Sequence, residues 1–155
     1  MSTLTAGDLV RVPPHSLEAE RAVLGAAMQD NASLLLLMET LQADDFFSPQ
    51  HQVIYRAIAS LFSQARNPDL ITVDAELSST GALEGIGGRD YLIAVVSAVP
   101  TGAYIQNYME IVLEKSTLRK LIAASGDISR VCYEQRMDMA ETLQFAEKTI
   151  FDIIM

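Results

Sequence analysis

With 155 residues, the chain has room for one ordinary domain and an appendage, and it is too short for two large domains. Half of its residues are apolar, mostly Leu, Ile, Ala and Met, which favour helices over strands, so the composition predicts an all-α fold. The formal net charge of −9, with basic residues scattered along the chain, argues against direct, tight nucleic-acid binding and suits either solubility or a basic protein partner.

The beginning of the chain, residues 1–14, is predicted to be a flexible N-terminal segment, since it mixes small, polar and Pro residues without periodicity. It also lacks the charged start and apolar run of a secretory signal, and no apolar run in the chain is long enough for a membrane span. A compact helical head is predicted over 15–100. It begins with a helix over 17–29 capped by Ser16, and Asn31 is the expected cap of the second helix.

The middle of the head carries start and stop signals for two more helices. Ser48 followed by Pro49 predicts the start of a third helix, which is expected to end near Arg66. Thr72 is the expected cap of a short fourth helix. Gly81 is predicted to close that helix in the left-handed conformation.

The stretch GALEGIGGRD is predicted to be a glycine-rich connection between helices. Helix is expected to resume around Tyr91 and to run to Val99. Pro100 and Gly102 are then expected to end this helix. A long helix is predicted to begin at about Ala103.

A long antiparallel helical hairpin is predicted over 101–155, with its first helix reaching Tyr133 and its second capped by Asp138. Apolar residues of the second helix recur at the spacing of a paired-helix seam: Met139, Leu143, Ala146, Ile150 and Ile153. Each helix keeps apolar surface that the other cannot cover, so the hairpin is predicted to join copies of the chain. The candidate self-association residues are Tyr108, Ile111, Leu118, Leu143 and Ile150.

No pattern in the sequence predicts a catalytic, cofactor or metal site. In GIGGRD, Arg89 and Asp90 follow the last glycine, whereas a phosphate-binding Walker loop needs Lys and then Ser or Thr, so a flexible turn is favoured. His15 and His51 lack metal-ligand spacing. His51 lies in the first turn of its helix and is interpreted as a capping or surface group.

Other chemically reactive side chains are also interpreted as structural rather than catalytic. Asp44 and Asp45 lie in a connector with no base or nucleophile to serve them, so they are interpreted as terminating a helix rather than as an acid–base pair. Cys132, the single cysteine, can form no internal disulfide, as expected in a reducing cytosol, and is interpreted as a small core residue. Core filler is favoured over adaptable contact surface for the methionines at Met109, Met137 and Met139.

Four blocks of sequence follow one another along the chain. They are SLEAERAVLG at Ser16–Gly25, DDFFSPQHQVIYRAI at Asp44–Ile58, GALEGIGGRDYL at Gly81–Leu92 and VPTGAYIQNYMEIVLEKSTLRKLI at Val99–Ile122. In this order the blocks resemble the N-terminal domain of the DnaB-type bacterial replicative helicase. The resemblance covers roughly residues 12–154.

This resemblance implies a cytoplasmic domain that belongs to an ATP-driven hexameric helicase, in which a separate RecA-like motor uses ATP and magnesium. The chain itself carries no Walker motif, so no enzyme activity or cofactor is expected of it alone. In the family such domains pair through their hairpins, and three pairs form a collar that recruits the helicase-binding domain of primase. Tyr91, Ile122 and Ile128 are the candidate primase contacts, with burial in the core as the open alternative.

Two other hypotheses are left open by the sequence. A free-standing helical adaptor or helicase-loader-like protein would share the helical character and the acidity, and it would have no motor domain in its gene. An enzyme that uses Asp44, Asp45 or the glycine-rich loop would change its thermal stability with ATP or divalent ions.

Overall fold

A computed structural model describes residues 11–99 and 104–155. Within these ranges the chain forms α-helices and short 3-10 turns without a strand, which confirms the predicted all-α class. The chain divides into two compact units. The head unit is Ser16–Ser116, and the hairpin unit is Thr117–Met155 together with the described residues up to His15.

The helices follow one another with short connections. They are α1 (Leu17–Gln29), α2 (Asn31–Thr40), α3 (Pro49–Ser63), α4 (Leu70–Ser79), α5 (Gly88–Val96), α6 (Ile105–Glu134) and α7 (Met139–Ile154), with 3-10 turns at Ala43–Asp45 and Glu84–Ile86. Three predictions fall wholly or mostly outside the described residues: the flexible segment over 1–14, the break at Pro100 and Gly102, and the helix start at Ala103.

Three of the predicted helix caps are confirmed. The Ser16 hydroxyl accepts a hydrogen bond in the first turn of α1, and the Ser48 hydroxyl does so in α3, where Pro49 is the first helical residue. The Asp138 carboxylate accepts from the Glu141 N–H at 2.8 Å and begins α7. Each of these side chains satisfies a backbone N–H that has no acceptor within its own helix.

Two predicted caps are wrong, each by a residue or more. Asp30, not Asn31, caps α2, because Asp30 has the extended backbone of a cap and its carboxylate accepts from the Ser33 N–H at 3.1 Å. The hydrogen bonds from Ser33 lower the pKa of Asp30. Asp69, not Thr72, caps α4. Thr72 is the reciprocal member of this capping box, since its hydroxyl accepts from the Asp69 N–H at 2.8 Å.

Helix ends depend on residues in the left-handed region. Helix α3 ends at Ser63, before the predicted Arg66, because Ala65 has a φ of 58° and the Arg66 N–H turns back to the Leu61 carbonyl at 2.9 Å. Gly81, with a φ of 74°, closes α4 as predicted.

Helix α5 begins earlier than its sequence suggested. It starts at Gly88 rather than around Tyr91, since Gly87 and Gly88, with φ values of 108° and 78°, turn the chain directly into the helix. It ends at Val96 rather than at the predicted Val99. The glycine-rich connection is therefore shorter than predicted and places Tyr91 within the first turns of the helix.

The core of the head unit forms around α1, which packs against α2, α3 and α5. Its fully buried side chains include Leu24, Leu37, Phe46, Ile54, Ile58, Leu61 and Leu92. Burial of each Leu, Ile or Phe side chain contributes roughly 1.5–3 kcal/mol to folding. Met109 belongs to this core as predicted, but the same interpretation is wrong for Met137 and Met139, which are 40% and 71% exposed.

A glycine allows α1 and α5 to approach closely. A Cβ atom on Gly25 would lie 2.2 Å from the Val95 carbonyl oxygen, which is far inside any van der Waals contact. Near the end of the same crossing, the Gln29 amide donates a hydrogen bond to the Val96 carbonyl. The position of α5 is therefore fixed by backbone contact as well as by side chains.

The hairpin unit is much less buried than the head unit. None of the described residues in α7 is buried, and in the later part of α6 only Ala124 and Val131 are. The half-buried seam of α7 comprises Thr142, Phe145, Ala146, Thr149, Ile150 and Ile153. The predicted seam members Met139 and Leu143 are wrong, because they are 71% and 62% exposed and lie to one side of this seam.

Candidate partner-binding surfaces

Helix α7 carries a second apolar face beside its seam. Its exposed members are Met139, Leu143, Phe151 and Ile154, with exposed fractions of 71%, 62%, 55% and 73%. At about 100° of rotation per residue, these side chains fall in one sector next to the half-buried seam. A contiguous apolar face of this kind is typical of an interaction surface.

Helix α6 repeats this arrangement within the hairpin unit. Leu118, Ile122 and Tyr133 are exposed and lie on the side of the helix opposite the buried Ala124 and Val131. Both helices of the hairpin unit therefore have one covered and one uncovered apolar face.

The predicted self-association residues differ in exposure. Leu118 and Leu143 are exposed, and Ile111, which belongs to the head unit, is 37% exposed. Tyr108 is half-buried against the head core, and Ile150 is half-buried in the seam of α7. Leu143, at 62% exposure, is thus the member most available to another molecule, followed by Leu118 and Ile111 at 39% and 37%.

The predicted primase contacts belong to different units. Tyr91 is half-buried in the head unit, whereas Ile122 and Ile128 belong to the hairpin unit, where Ile122 is 55% exposed and Ile128 is half-buried. Neither isoleucine is a fully buried core residue. Ile122 has the most apolar surface to offer of the three.

The head unit contains a buried polar chain that the sequence did not predict. The Glu20 carboxylate lies 2.8 Å from His51 Nδ1, and His51 Nε2 lies 2.6 Å from the Tyr91 hydroxyl. Glu20 also accepts from the backbone N–H groups of Phe47 at 2.9 Å and Ser48 at 3.3 Å. Glu20 and His51 are each only 1% exposed. These hydrogen bonds link α1, α3 and α5.

The interpretation of His51 as a capping or surface group is therefore wrong. Its ring is 1% exposed and lies between the buried Glu20 carboxylate and the hydroxyl of the half-buried Tyr91. A signal existed in the sequence: Glu20 stands at helical spacing from the apolar Val23, Leu24 and Ala27, where a carboxylate indicates a buried partner.

The order carboxylate, imidazole, hydroxyl also occurs in nucleophilic enzymes. Here the imidazole is 1% exposed, so a substrate cannot reach it. Across the described ranges, every fully buried side-chain nitrogen or oxygen has a hydrogen-bond partner. The arrangement is satisfied internally and supports a structural role.

Asp44 and Asp45 do not form a carboxylate pair. Asp44 is exposed, while Asp45 is buried and accepts from the Gln42 N–H at 2.8 Å and the Ser116 hydroxyl at 2.7 Å. Burial and, less strongly, the Asp45 carboxylate raise the pKa of Tyr55. Asp45 thus orders the connector after α2, in keeping with the predicted structural interpretation.

The glycine-rich loop uses its arginine for an internal contact. The Arg89 guanidinium donates to the Asp74 carboxylate of α4, and this hydrogen bond lowers the pKa of Asp74. The cation in GIGGRD therefore ties the first turn of α5 to α4.

Cys132 is exposed, so its interpretation as a core residue is wrong. The described residues bring no group of three or more potential metal ligands together. Nor does any helix in the described ranges combine the length and the apolar character that crossing a membrane requires.

Satisfied internal polar groups together with uncovered apolar helix faces are typical of assembly and interaction domains. Comparison with known proteins defines the family. The model of the DnaB-like helicase N terminal domain matches residues 12–114, and the chain belongs to this family. This confirms the resemblance and favours the helicase hypothesis over the free-standing adaptor.

Two similar proteins are bacterial replicative helicases. The chain is 42% identical over 143 residues to the replicative DNA helicase DnaC of Bacillus subtilis (strain 168), covering 92% of this chain and 32% of that protein. It is 40% identical over 143 residues to the replicative DNA helicase DnaB of Geobacillus stearothermophilus, with the same shares covered. The chain thus spans about a third of the length of these relatives.

Two solved structures have the same fold. One is the crystal structure of the N-terminal domain of DnaB helicase from Mycobacterium tuberculosis, with a TM-score of 0.84, 36% identity, and 90% of this chain and 99% of that chain covered. The other is a DnaB-like replicative helicase described with its interactions with primase, with a TM-score of 0.71 and 24% identity, and 89% and 31% covered. At that identity the second likeness concerns the fold alone.

Proposed function

We propose that the chain is the N-terminal domain of a replicative DNA helicase, where it joins copies into dimers and a collar of three dimers and recruits primase. Relatives that the chain matches over a third of their length are named replicative DNA helicases. ATP hydrolysis and unwinding would belong to the rest of such a parent, since the 155 residues contain no Walker motif. The domain would work in the bacterial cytoplasm.

The uncovered apolar faces of the hairpin unit are the observation that carries the assembly proposal. Leu143, Phe151 and Ile154 are each more than half exposed. Covering such side chains contributes roughly 1.5–3 kcal/mol for each one fully buried. A second copy brings the same faces, so a twofold pairing covers both sets at once.

Size-exclusion chromatography with light scattering tests the assembly. The wild-type chain is expected to be a dimer or a larger oligomer at micromolar concentration. Leu118→Asp and Leu143→Asp each place a charge in the contact and should raise the dissociation constant by tenfold or more, equal to about 1.4 kcal/mol or more.

Ile71→Asp is the matched control, because Ile71 is a 78% exposed apolar residue in the head unit. This variant should assemble like wild type. A wild-type chain that is strictly monomeric at high concentration would contradict the assembly proposal.

Primase recruitment is proposed at Tyr91, Ile122 and Ile128. It is supported by the exposure of Ile122 and by the similar helicase that is described with its interactions with primase. An acidic chain with a net charge of −9 also suits a basic protein partner, whose binding should weaken with salt.

A pull-down with the helicase-binding domain of a primase tests these residues. Ile122→Asp should abolish capture while leaving the helical circular dichroism unchanged, because Ile122 is already 55% exposed. Ile128→Asp, at a half-buried position, is expected to weaken capture with some loss of stability. Undiminished capture by Ile122→Asp would remove this residue from the contact.

A further inference from the structure

Tyr91 is held from its inner side by a hydrogen bond that uses its hydroxyl. His51 Nε2 lies 2.6 Å from that hydroxyl, and the two rings are nearly parallel, at 15° with centroids 6.0 Å apart. Tyr91 as a whole is half-buried, and its hydroxyl is taken up by His51, so another molecule can contact the part of the side chain that stays accessible. A partner can therefore contact the ring, while the hydroxyl serves to orient it.

His51 is itself oriented from the other side. The Glu20 carboxylate receives two backbone N–H groups and accepts from His51 Nδ1 at 2.8 Å, which leaves Nε2 to accept the Tyr91 hydroxyl. Both Glu20 and His51 are 1% exposed, so water does not compete for these bonds.

The backbone that carries Tyr91 is fixed independently. Arg89 ties the first turn of α5 to Asp74 of α4, and the Gln29 amide of α1 donates to the carbonyl of Val96 in the last turn of α5. A Cβ on Gly87 would lie 3.0 Å from Tyr91 Cβ, so the backbone also limits the ring on this side. With the helix fixed, the remaining freedom of Tyr91 is that of its side chain.

We propose that His51, oriented by Glu20, is a positioning residue that fixes the Tyr91 ring for contact with primase. The proposal rests on the function proposed above and adds a buried residue that does not touch the partner. A preoriented aromatic side chain binds more tightly, since its rotamer freedom is not lost on association.

Two substitutions at His51 separate its two hydrogen bonds. In His51→Asn the amide can occupy the place of Nδ1 and keep the bond to Glu20, but it does not reach Tyr91. In His51→Gln the amide reaches the place of Nε2 and can accept from the Tyr91 hydroxyl. Affinity of the full chain for the helicase-binding domain of a primase is measured by calorimetry, beside urea unfolding of each variant.

His51→Asn and Tyr91→Phe are each expected to weaken binding about tenfold, the scale of one positioning hydrogen bond. The double variant should be no weaker than either single variant, because both remove the same contact. His51→Gln should recover most of the affinity. Additive losses, or no gain in His51→Gln over His51→Asn, would overturn the positioning role.

Tyr55→Phe is the matched control. Tyr55 lies in α3, as His51 does, and its hydroxyl donates a hydrogen bond of 2.6 Å to the Leu41 carbonyl rather than to a side chain of the proposed contact. The substitution should lower stability without changing the affinity. If the wild-type chain does not bind primase, both the proposed function and the positioning role fail, whereas wild-type binding with unchanged affinity in His51→Asn overturns the positioning role alone.

Discussion

The head unit and the hairpin unit bury their apolar residues to very different extents. In the head unit, Leu24 and Ile58 are completely buried, and even its buried carboxylate at Glu20 has three hydrogen-bond donors around it. In the hairpin unit α7 contains no buried residue, and Leu143 and Phe151 are more than half exposed. The head unit covers most of its large apolar residues by itself, whereas the hairpin unit leaves an apolar face open to solvent.

The largest expected effect concerns the buried carboxylate of Glu20 in the head unit. Glu20→Ala should lower the free energy of unfolding by about 3–5 kcal/mol, because His51 and two backbone N–H groups lose their acceptor. Urea unfolding followed by circular dichroism measures it. Glu18→Ala, in the exposed first turn of the same helix, should change stability by no more than about 0.5 kcal/mol. Equal losses in the two variants would mean that the hydrogen bonds of Glu20 do not stabilise the head unit.

The same truncation in both units compares them directly. Leu24→Ala should cost about 2–5 kcal/mol, because it removes buried contacts and leaves a cavity. Leu143→Ala, at 62% exposure, should change the stability of the dilute monomer by less than about 0.5 kcal/mol and should weaken assembly instead. Unfolding curves at low and high protein concentration distinguish these results. A large loss for Leu143→Ala in the monomer would contradict the comparison.

Two glycines should respond to Ala with opposite signs. Gly25→Ala should destabilise by about 1–3 kcal/mol, since its Cβ would collide with the Val95 carbonyl. Gly126→Ala, within α6 and with no atom within 4 Å of the added Cβ, should stabilise by about 0.5–1 kcal/mol. Thermal unfolding of the monomer checks both. Loss of stability in Gly126→Ala would show that the hairpin is already tightly packed there.

The smallest expected effect depends on pH. The pKa of Asp74 is lowered by Arg89, so its stabilising contribution is present above its ordinary value of 3.8 and is lost as the pH falls through the lowered value. Asp74→Asn should lower the melting temperature by on the order of 1 °C at neutral pH, because solvent screens the exposed Arg89 side chain of the pair. The difference should vanish at a pH low enough to protonate Asp74. A difference that persists there would exclude the charge as its cause.

Local signals accounted for most of the elements. The caps at Ser16, Ser48 and Asp138 were predictable because a short polar side chain and the helix that follows it are neighbours in sequence. The cap errors at Asn31 and Thr72 arose where two suitable side chains stand close together, so that backbone geometry decides between them.

The contacts between distant residues could not be predicted in the same way. Glu20 and His51 are 31 residues apart, and only the packing of α1 on α3 brings them together. Helix α7 presents the opposite difficulty, because apolar residues cover much of its circumference. Thr142 rather than Leu143 faces the seam, and the sequence pattern could not choose between these faces.

The link from Glu20 to the start of α3 also bears on how the chain is made. Helix α1 leaves the ribosome before α3, so the carboxylate that accepts from Phe47 and Ser48 is already present when these amides emerge. The head can therefore consolidate in the order of its synthesis. A chain that began after α1 would reach the same point with two amides and an imidazole still without their acceptor.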